Sequence, residues 1–198
     1  MRKVAAIVGC TAGALYRYFP DKQSLLLHVW EDDMRYAVEY IRGATYDTRS
    51  PVDKVRKTML SYLRYWIENP DHFRILFGLM HGTLDRTEPP ELFPGASSTA
   101  LYLETRNHLA QALASRANAP RDVDLALQCL LSAVHGIMAL HVSASRFPTF
   151  DLQAMAAVTI DAMLAGWGAV DAPITTAAAV RPPPQPRAEP PPQKRKVP

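Results

Sequence analysis

Apolar side chains recur at steps of three and four along most of the chain, and no stretch alternates with period two for long enough to build a sheet. The pattern predicts an all-α protein. A first short helix spans Arg2 to Val8, with Val4, Ala5 and Val8 on one face. Gly9 supplies a turn, and Thr11 caps a second short helix whose Leu15 and Phe19 turn towards the same core. Phe19-Pro20-Asp21 opens a longer helix capped by Asp21, running to about Ile41 and stopping at Gly43. Ser50-Pro51-Val52-Asp53 combines a cap, a proline in the first turn and an early acid, and its helix reaches Glu68 before Asn69-Pro70.

Further helices are expected over Asp71–His81, Thr99–Arg116, Pro120–Ala144 and Asp151–Gly166, with a loop over Gly82–Ser98 and a break at Phe147-Pro148-Thr149. The last two helices are the most apolar. Val123, Leu127, Leu130, Val134, Ile137 and His141 form one stripe, and Leu152, Ala156, Ile160, Met163 and Trp167 form another. Small residues crowd beside them (Ala126, Ser132, Ala133, Gly136, Ala139, Ala157, Ala162, Ala165), which allows close helix approach. Such a pair can pack on its own core or build a two-fold four-helix interface, and a homodimer through these helices is expected.

Composition adds a boundary. Of 198 residues, 48% are hydrophobic and 21% charged, enough to bury a substantial core. The net charge of +3 is unevenly placed. Arg2, Lys3, Arg17 and Lys22 outweigh Asp21 in the first 22 residues, residues 23–180 are net acidic, and the C-terminal end is basic. Eight of the last eighteen residues are proline, with Arg181, Arg187, Lys194, Arg195 and Lys196 against Glu189 alone. Residues 171–198 read as a disordered, proline-rich, basic tail with too little apolar material for a core. Two cysteines, no signal peptide and no membrane-spanning run place the chain in the cytoplasm, away from the membrane.

The informative segment is RKVAAIVGCTAGALYRYF, residues 2–19: helix, glycine turn, capped short helix, the helix-turn-helix pattern. Thr11, Gly13, Tyr16, Arg17 and Tyr18 occupy the exposed side of the second helix, where they can meet phosphates and base edges. Lys22 stands at the start of the next helix, whose positive end also favours a phosphate. With Arg2 and Lys3 these are the candidate DNA-binding residues, and double-stranded operator DNA is the expected partner.

VGCTAGALYRYFPDKQSLLLHV resembles the signature of the tetracycline-repressor (TetR) family of transcriptional regulators. Gly9, Thr11, Gly13, Leu15, Tyr16, Tyr18, Phe19, Lys22, Leu25 and Leu26 fall on family positions. SAVHGIMALHVSA (132–144) is similar to a subset of the family's C-terminal domains. The resemblance implies a DNA-binding headpiece with its connecting helix (1–43) and a helical effector-binding, dimerising body (44–170), acting as a repressor relieved by a small molecule. Family members carry one more helix ahead of the helix-turn-helix. The headpiece is therefore incomplete, and Val4, Ala5, Leu15 and Phe19, which that helix would cover, are expected to be exposed. Either the reading frame begins upstream, or the chain is a dimeric helical ligand-binding protein that has lost DNA binding through truncation. Cys10 and Ala12 also depart from the family's usual valine and polar residue.

An effector pocket is expected from Met59, Tyr62, Trp66, Phe73, Phe77, Met80 and His81, with Tyr102, His108, His135 and Met138. Each alone reads as core, and the group points to a hydrophobic or aromatic effector. Glu31-Asp32-Asp33 reads as a solvated acidic face, and Cys10 as a small apolar plug. No nucleophile elbow, phosphate-binding glycine loop or His-Glu-x-x-His motif is present, so no enzyme activity is expected. The cysteines lie far apart and no histidines have paired ligand spacing, so neither a metal nor a cofactor is expected.

Overall fold

The computed structural model describes residues 1–83, 96–143 and 150–170, with the side chains of 78–83 and 96 excepted. Most of the loop expected over 82–98, and the whole tail from 171, lie outside the described residues. Among the described residues the chain is all-α: α1 (Arg2–Ile7), α2 (Ala12–Tyr18), α3 (Lys22–Thr45), α4 (Pro51–Glu68), α5 (Pro70–Thr83), α6 (Ala96–Leu113), α7 (Val123–Ser143) and α8 (Leu152–Gly166).

The start signals work as side-chain chemistry. Thr11 Oγ1 accepts from the Ala14 N–H at 3.1 Å, Ser50 Oγ from Asp53 at 3.4 Å and Asp151 Oδ1 from Ala154 at 3.0 Å. Asp21 and Ser24 close a reciprocal capping box on α3. Helix α7 starts at Val123 rather than Pro120, because Asp122 Oδ1 collects the Asp124 and Leu125 N–H groups at 2.9 and 3.1 Å.

Stop signals were less dependable. Gly43 does not end α3; the helix runs on to Thr45, whose hydroxyl donates to the Ile41 carbonyl at 3.1 Å. Helix α6 ends at Leu113, short of Arg116, because Ser115 turns to φ +62°, a conformation usually left to glycine.

Helix α4 is the centre of the molecule, packed against α3, α5, α6, α7 and α8. Its Val55, Met59, Leu63 and Trp66 are buried and meet Leu109, Leu127, Leu130, Val134, Ile160 and Leu164 from the surrounding helices. The buried stripe of α8 is Leu152, Ala156, Ile160 and Leu164; Met163 and Trp167, expected on that line, are only partly buried. Helix α7 has the length and apolarity of a membrane span, but Ala126, Leu127, Leu130, Val134, Ile137 and Met138 are packed into the core.

Ion pairs tie the helices laterally. Arg56 on α4 holds Asp161 on α8 through two bonds of 2.6 and 2.9 Å. Arg42 on α3 pairs with Glu104 on α6. The acidic run on α3 is not simply solvated: Asp33 is 14% exposed and meets His72 Nδ1 at 3.0 Å.

Between α6 and α7, Asp124 accepts from Arg106 Nε at 2.7 Å and Tyr102 Oη at 3.3 Å. The Arg106 hydrogen bond, chiefly, holds the Asp124 carboxyl below its ordinary 3.8. Asp21 is lowered in the same sense, first by the Ser24 backbone N–H. Carboxylates depressed on folding stabilise fully above the unfolded value and lose that contribution as pH falls through the folded one. The melting temperature should therefore drop between pH 5 and pH 3, and Asp124→Asn should drop less than wild type over that interval in paired thermal melts.

Candidate nucleic-acid interface and effector cavity

Gly9, at φ +73°, makes the turn between α1 and α2, and the Cys10 N–H closes on the Ala5 carbonyl at 2.9 Å. The turn leaves Cys10 exposed rather than plugged into the core. Helix α2 then turns Ala14 and Leu15 inward, half-buried, while Gly13, Tyr16 and Arg17 share an outer face and Tyr18 stands beside them, exposed. An added Cβ at Gly13 would meet nothing within 4 Å, so no internal packing demands glycine there. Thr11 spends its acceptor on the cap and keeps its O–H to donate. Arg2, Lys3 and Lys22 are exposed as well, which brings the basic side chains of the first 22 residues to the surface.

The exposure expected in the headpiece falls on partly different residues. Val4 is exposed as expected, but Ala5 is buried, and Leu15 and Phe19 are half-buried. The α1–α2 turn closes over Ala5, and the Phe19 ring packs against His28 at 5.5 Å. Ile7 at 85% and Val8 at 63% carry the open apolar surface instead.

In the body, a cavity of about 60 Å³ opens between α3, α4, α6 and α7. Met59, Tyr62 and Tyr102 line it, as the sequence reading placed them. Met34, Ile41, Thr58, Ser98, Leu101, Thr105, Leu127 and Leu131 complete the wall. Those eight were missed because aliphatic and hydroxyl residues on a buried stripe look like core; the signal was the trio of Thr58, Ser98 and Thr105 set into otherwise apolar faces. No polar atom is exposed on the wall. Thr105 Oγ1 donates to the Leu101 carbonyl at 2.7 Å, Tyr102 Oη to Asp124, and Tyr62 Oη meets His135 Nδ1 at 2.9 Å.

Trp66, Phe73, Phe77 and His135 form an aromatic cluster directly behind Tyr62, with Phe73–Phe77 at 4.7 Å and Phe77–His135 at 4.5 Å. Burial pushes the Tyr62 phenol well up, so it stays neutral. Met138 is fully buried core, and His108 sits on α6 near Lys54 and Glu104; neither lines this cavity. Burial first, then the Lys54 charge, lowers His108 below its usual value. The side chains of Met80 and His81 lie outside the described residues.

A third surface lies on α7 and α8, opposite their buried stripes. Leu125, Cys129, Ser132 and Leu140 on α7 and Ala154, Val158 and Ala162 on α8 are exposed at steps of three, four and eight. Both helices thus carry small and apolar residues on two faces.

Residues 1–29 match the family model "Bacterial regulatory proteins, tetR family". Three solved structures share the fold over 83% of the chain. One is the TetR family transcriptional regulator PfmR from Thermus thermophilus, at 20% identity, 87% of that chain covered and a TM-score of 0.58. Another is a bacterial regulatory protein in the tetR family from Rhodococcus RHA1, at 20% identity, 84% covered and 0.58. The third is a protein of unknown function from Rhodococcus sp. RHA1, at 16% identity, 82% covered and 0.61. No curated protein matches the sequence. The headpiece motif, the all-helical body and these likenesses agree: residues 1–29 carry the tetR-family segment, and the chain shares the fold of TetR family transcriptional regulators.

Proposed function

We propose that the chain is a cytoplasmic, homodimeric DNA-binding repressor, released from its operator by a small hydrophobic effector. The observation that carries the reading is the outer face of α2. Gly13, Tyr16 and Arg17 stand exposed on a side-chain-capped helix, with Lys22 at the start of α3, inside the segment that matches the family model. The headpiece (1–43) reads DNA and the body (44–170) binds the effector and dimerises. Helix α3 belongs to both: it begins beside the recognition helix, and its Met34 and Ile41 line the cavity. Filling the cavity biases the separation of two headpieces that must match half-sites about 34–36 Å apart.

The test is selection of double-stranded fragments from the source genome, followed by binding titrations across a salt series. Saturable, salt-sensitive binding that falls on adding a hydrophobic effector supports the repressor. Salt-independent or absent binding, from a chain that still dimerises and takes up apolar ligands, favours the alternative of a ligand-binding dimer without DNA. The dimer has its own check. Leu125 and Val158 are 60% and 62% exposed, so Leu125→Glu with Val158→Glu should leave the fold intact while converting dimer to monomer on size exclusion at micromolar concentration.

A further inference from the structure

The cavity is small for the task assigned to it. About 60 Å³ holds a few waters, whereas sites for drug-sized ligands run to roughly 300–1,000 Å³, so a larger occupant must move a wall. One wall is built differently from the rest. Tyr62 shows the cavity only its ring, and its hydroxyl lies behind, on His135 Nδ1 at 2.9 Å. Beside that hydroxyl is the indole N–H of Trp66, four residues on along α4. That hydroxyl is close enough to act on it as an acceptor, but the two do not form a well-aligned hydrogen bond. Trp66 is 0% exposed. A fully buried donor without a well-formed hydrogen bond is rare in a folded protein and calls for a reason.

We infer that Tyr62 is a gate, that Trp66 Nε1–H is the polar anchor behind it, and that the effector is a neutral aromatic molecule bearing one hydrogen-bond acceptor. The inference rests on the effector-binding reading above. An indole nitrogen only donates, so the group it takes must accept. No Asp, Glu, Lys or Arg side chain lines the cavity or joins the aromatic cluster among the described residues, so a phosphate or other strongly charged group would lose its hydration without a permanent counter-charge. The rings around the anchor, Phe73 and Phe77, meet Trp66 edge-on at 5.7 and 5.4 Å and would receive a further ring in the same way. Swinging Tyr62 aside breaks its bond to His135 and joins the cavity to this end.

Acetophenone and α-methylstyrene test the idea, because they share a shape and differ in a carbonyl oxygen against a methylene. Both are titrated into the full chain, with the indole N–H resonances of the ¹⁵N-labelled protein as readout. Acetophenone should shift the Trp66 resonance and α-methylstyrene should not. Trp66→Phe should weaken acetophenone roughly tenfold, the worth of one good hydrogen bond, and change α-methylstyrene by less than about twofold. If Trp66→Phe does not fold, Tyr62→Phe serves instead: without its latch to His135 it should bind acetophenone at least about threefold more tightly. Binding of both probes with an unmoved Trp66 resonance, equal losses in Trp66→Phe, or no gain in Tyr62→Phe would each overturn the gate and anchor while leaving the effector reading intact. Binding of neither probe would overturn both.

Discussion

Replacing Trp66 by alanine is expected to lower the free energy of unfolding by about 3–5 kcal/mol, since Trp66 is the largest fully buried side chain among the described residues. Trp66 is fully buried on α4, the helix that packs against five others. Its ring contacts those of Tyr62, Tyr65, Phe73 and Phe77 at centroid distances of 4.9 to 6.1 Å. Truncation opens a hole at the junction of α4 and α5 that the rigid rings cannot collapse to fill. Urea titrations of both proteins at one fixed chain concentration measure it, since the proposed dimer would make apparent stability concentration-dependent. Trp66→Phe should cost far less: much of the ring remains, and the lost N–H makes no well-aligned hydrogen bond in the folded chain. A loss below about 2 kcal/mol for Trp66→Ala would mean that α4 is not the centre of the core.

The second large effect is on DNA binding. Arg17 and Lys22 are exposed, one on α2 and one on the first turn of α3, and under the proposed function each meets a phosphate. Each phosphate contact contributes about −0.9 to the slope of log affinity against log salt. Arg17→Ala with Lys22→Ala should make that slope shallower by about 1.8 per headpiece, and near 0.1 M salt this corresponds to roughly 60-fold weaker binding per headpiece. A dimer with both headpieces engaged would lose about the square of that factor. The loss should be similar on all sequences, whereas Tyr16→Ala, if Tyr16 reaches a base edge, should relax preference at particular positions. An unchanged salt slope in the double variant would remove these two residues from the interface.

Capped helix starts were legible and the rest was mixed: α4 and α8 end at Glu68 and Gly166 as expected, α3 and α6 do not end where expected, and α6 and α7 begin at Ala96 and Val123 rather than Thr99 and Pro120. A cap is one side chain accepting from an N–H two or three residues on, so Thr11, Asp21, Ser50 and Asp151 announce themselves within a few residues of sequence. An ending depends on whether the next turn still packs. Gly43 remained helical because Ile41, two residues before it, is buried in the body, and Ser115 broke α6 with no glycine to signal it. The candidate site divides in the same way. The proposed recognition face of α2 follows from a contiguous motif within residues 2–19. The cavity draws on α3, α4, α6 and α7, and sequence reasoning found only Met59 and the two tyrosines of its wall, three side chains of eleven. The other eight became lining residues only once the four helices were brought together.

The sequence by itself determined the all-helical class, the placement of most helices, the helix-turn-helix and the uneven charge, because each depends on local periodicity, capping and residue type. Tertiary structure alone decided that Asp33 lies against His72, that Ala5 is buried while Ile7 is open, and that Tyr62 presents its ring to a cavity with its hydroxyl on His135. It also left the Trp66 N–H sealed among rings without a well-aligned acceptor. These are relations between side chains up to 73 residues apart, as for Tyr62 and His135, set by how whole helices cross. No local pattern encodes such a relation, because the free energy that fixes it is the packing of the entire bundle.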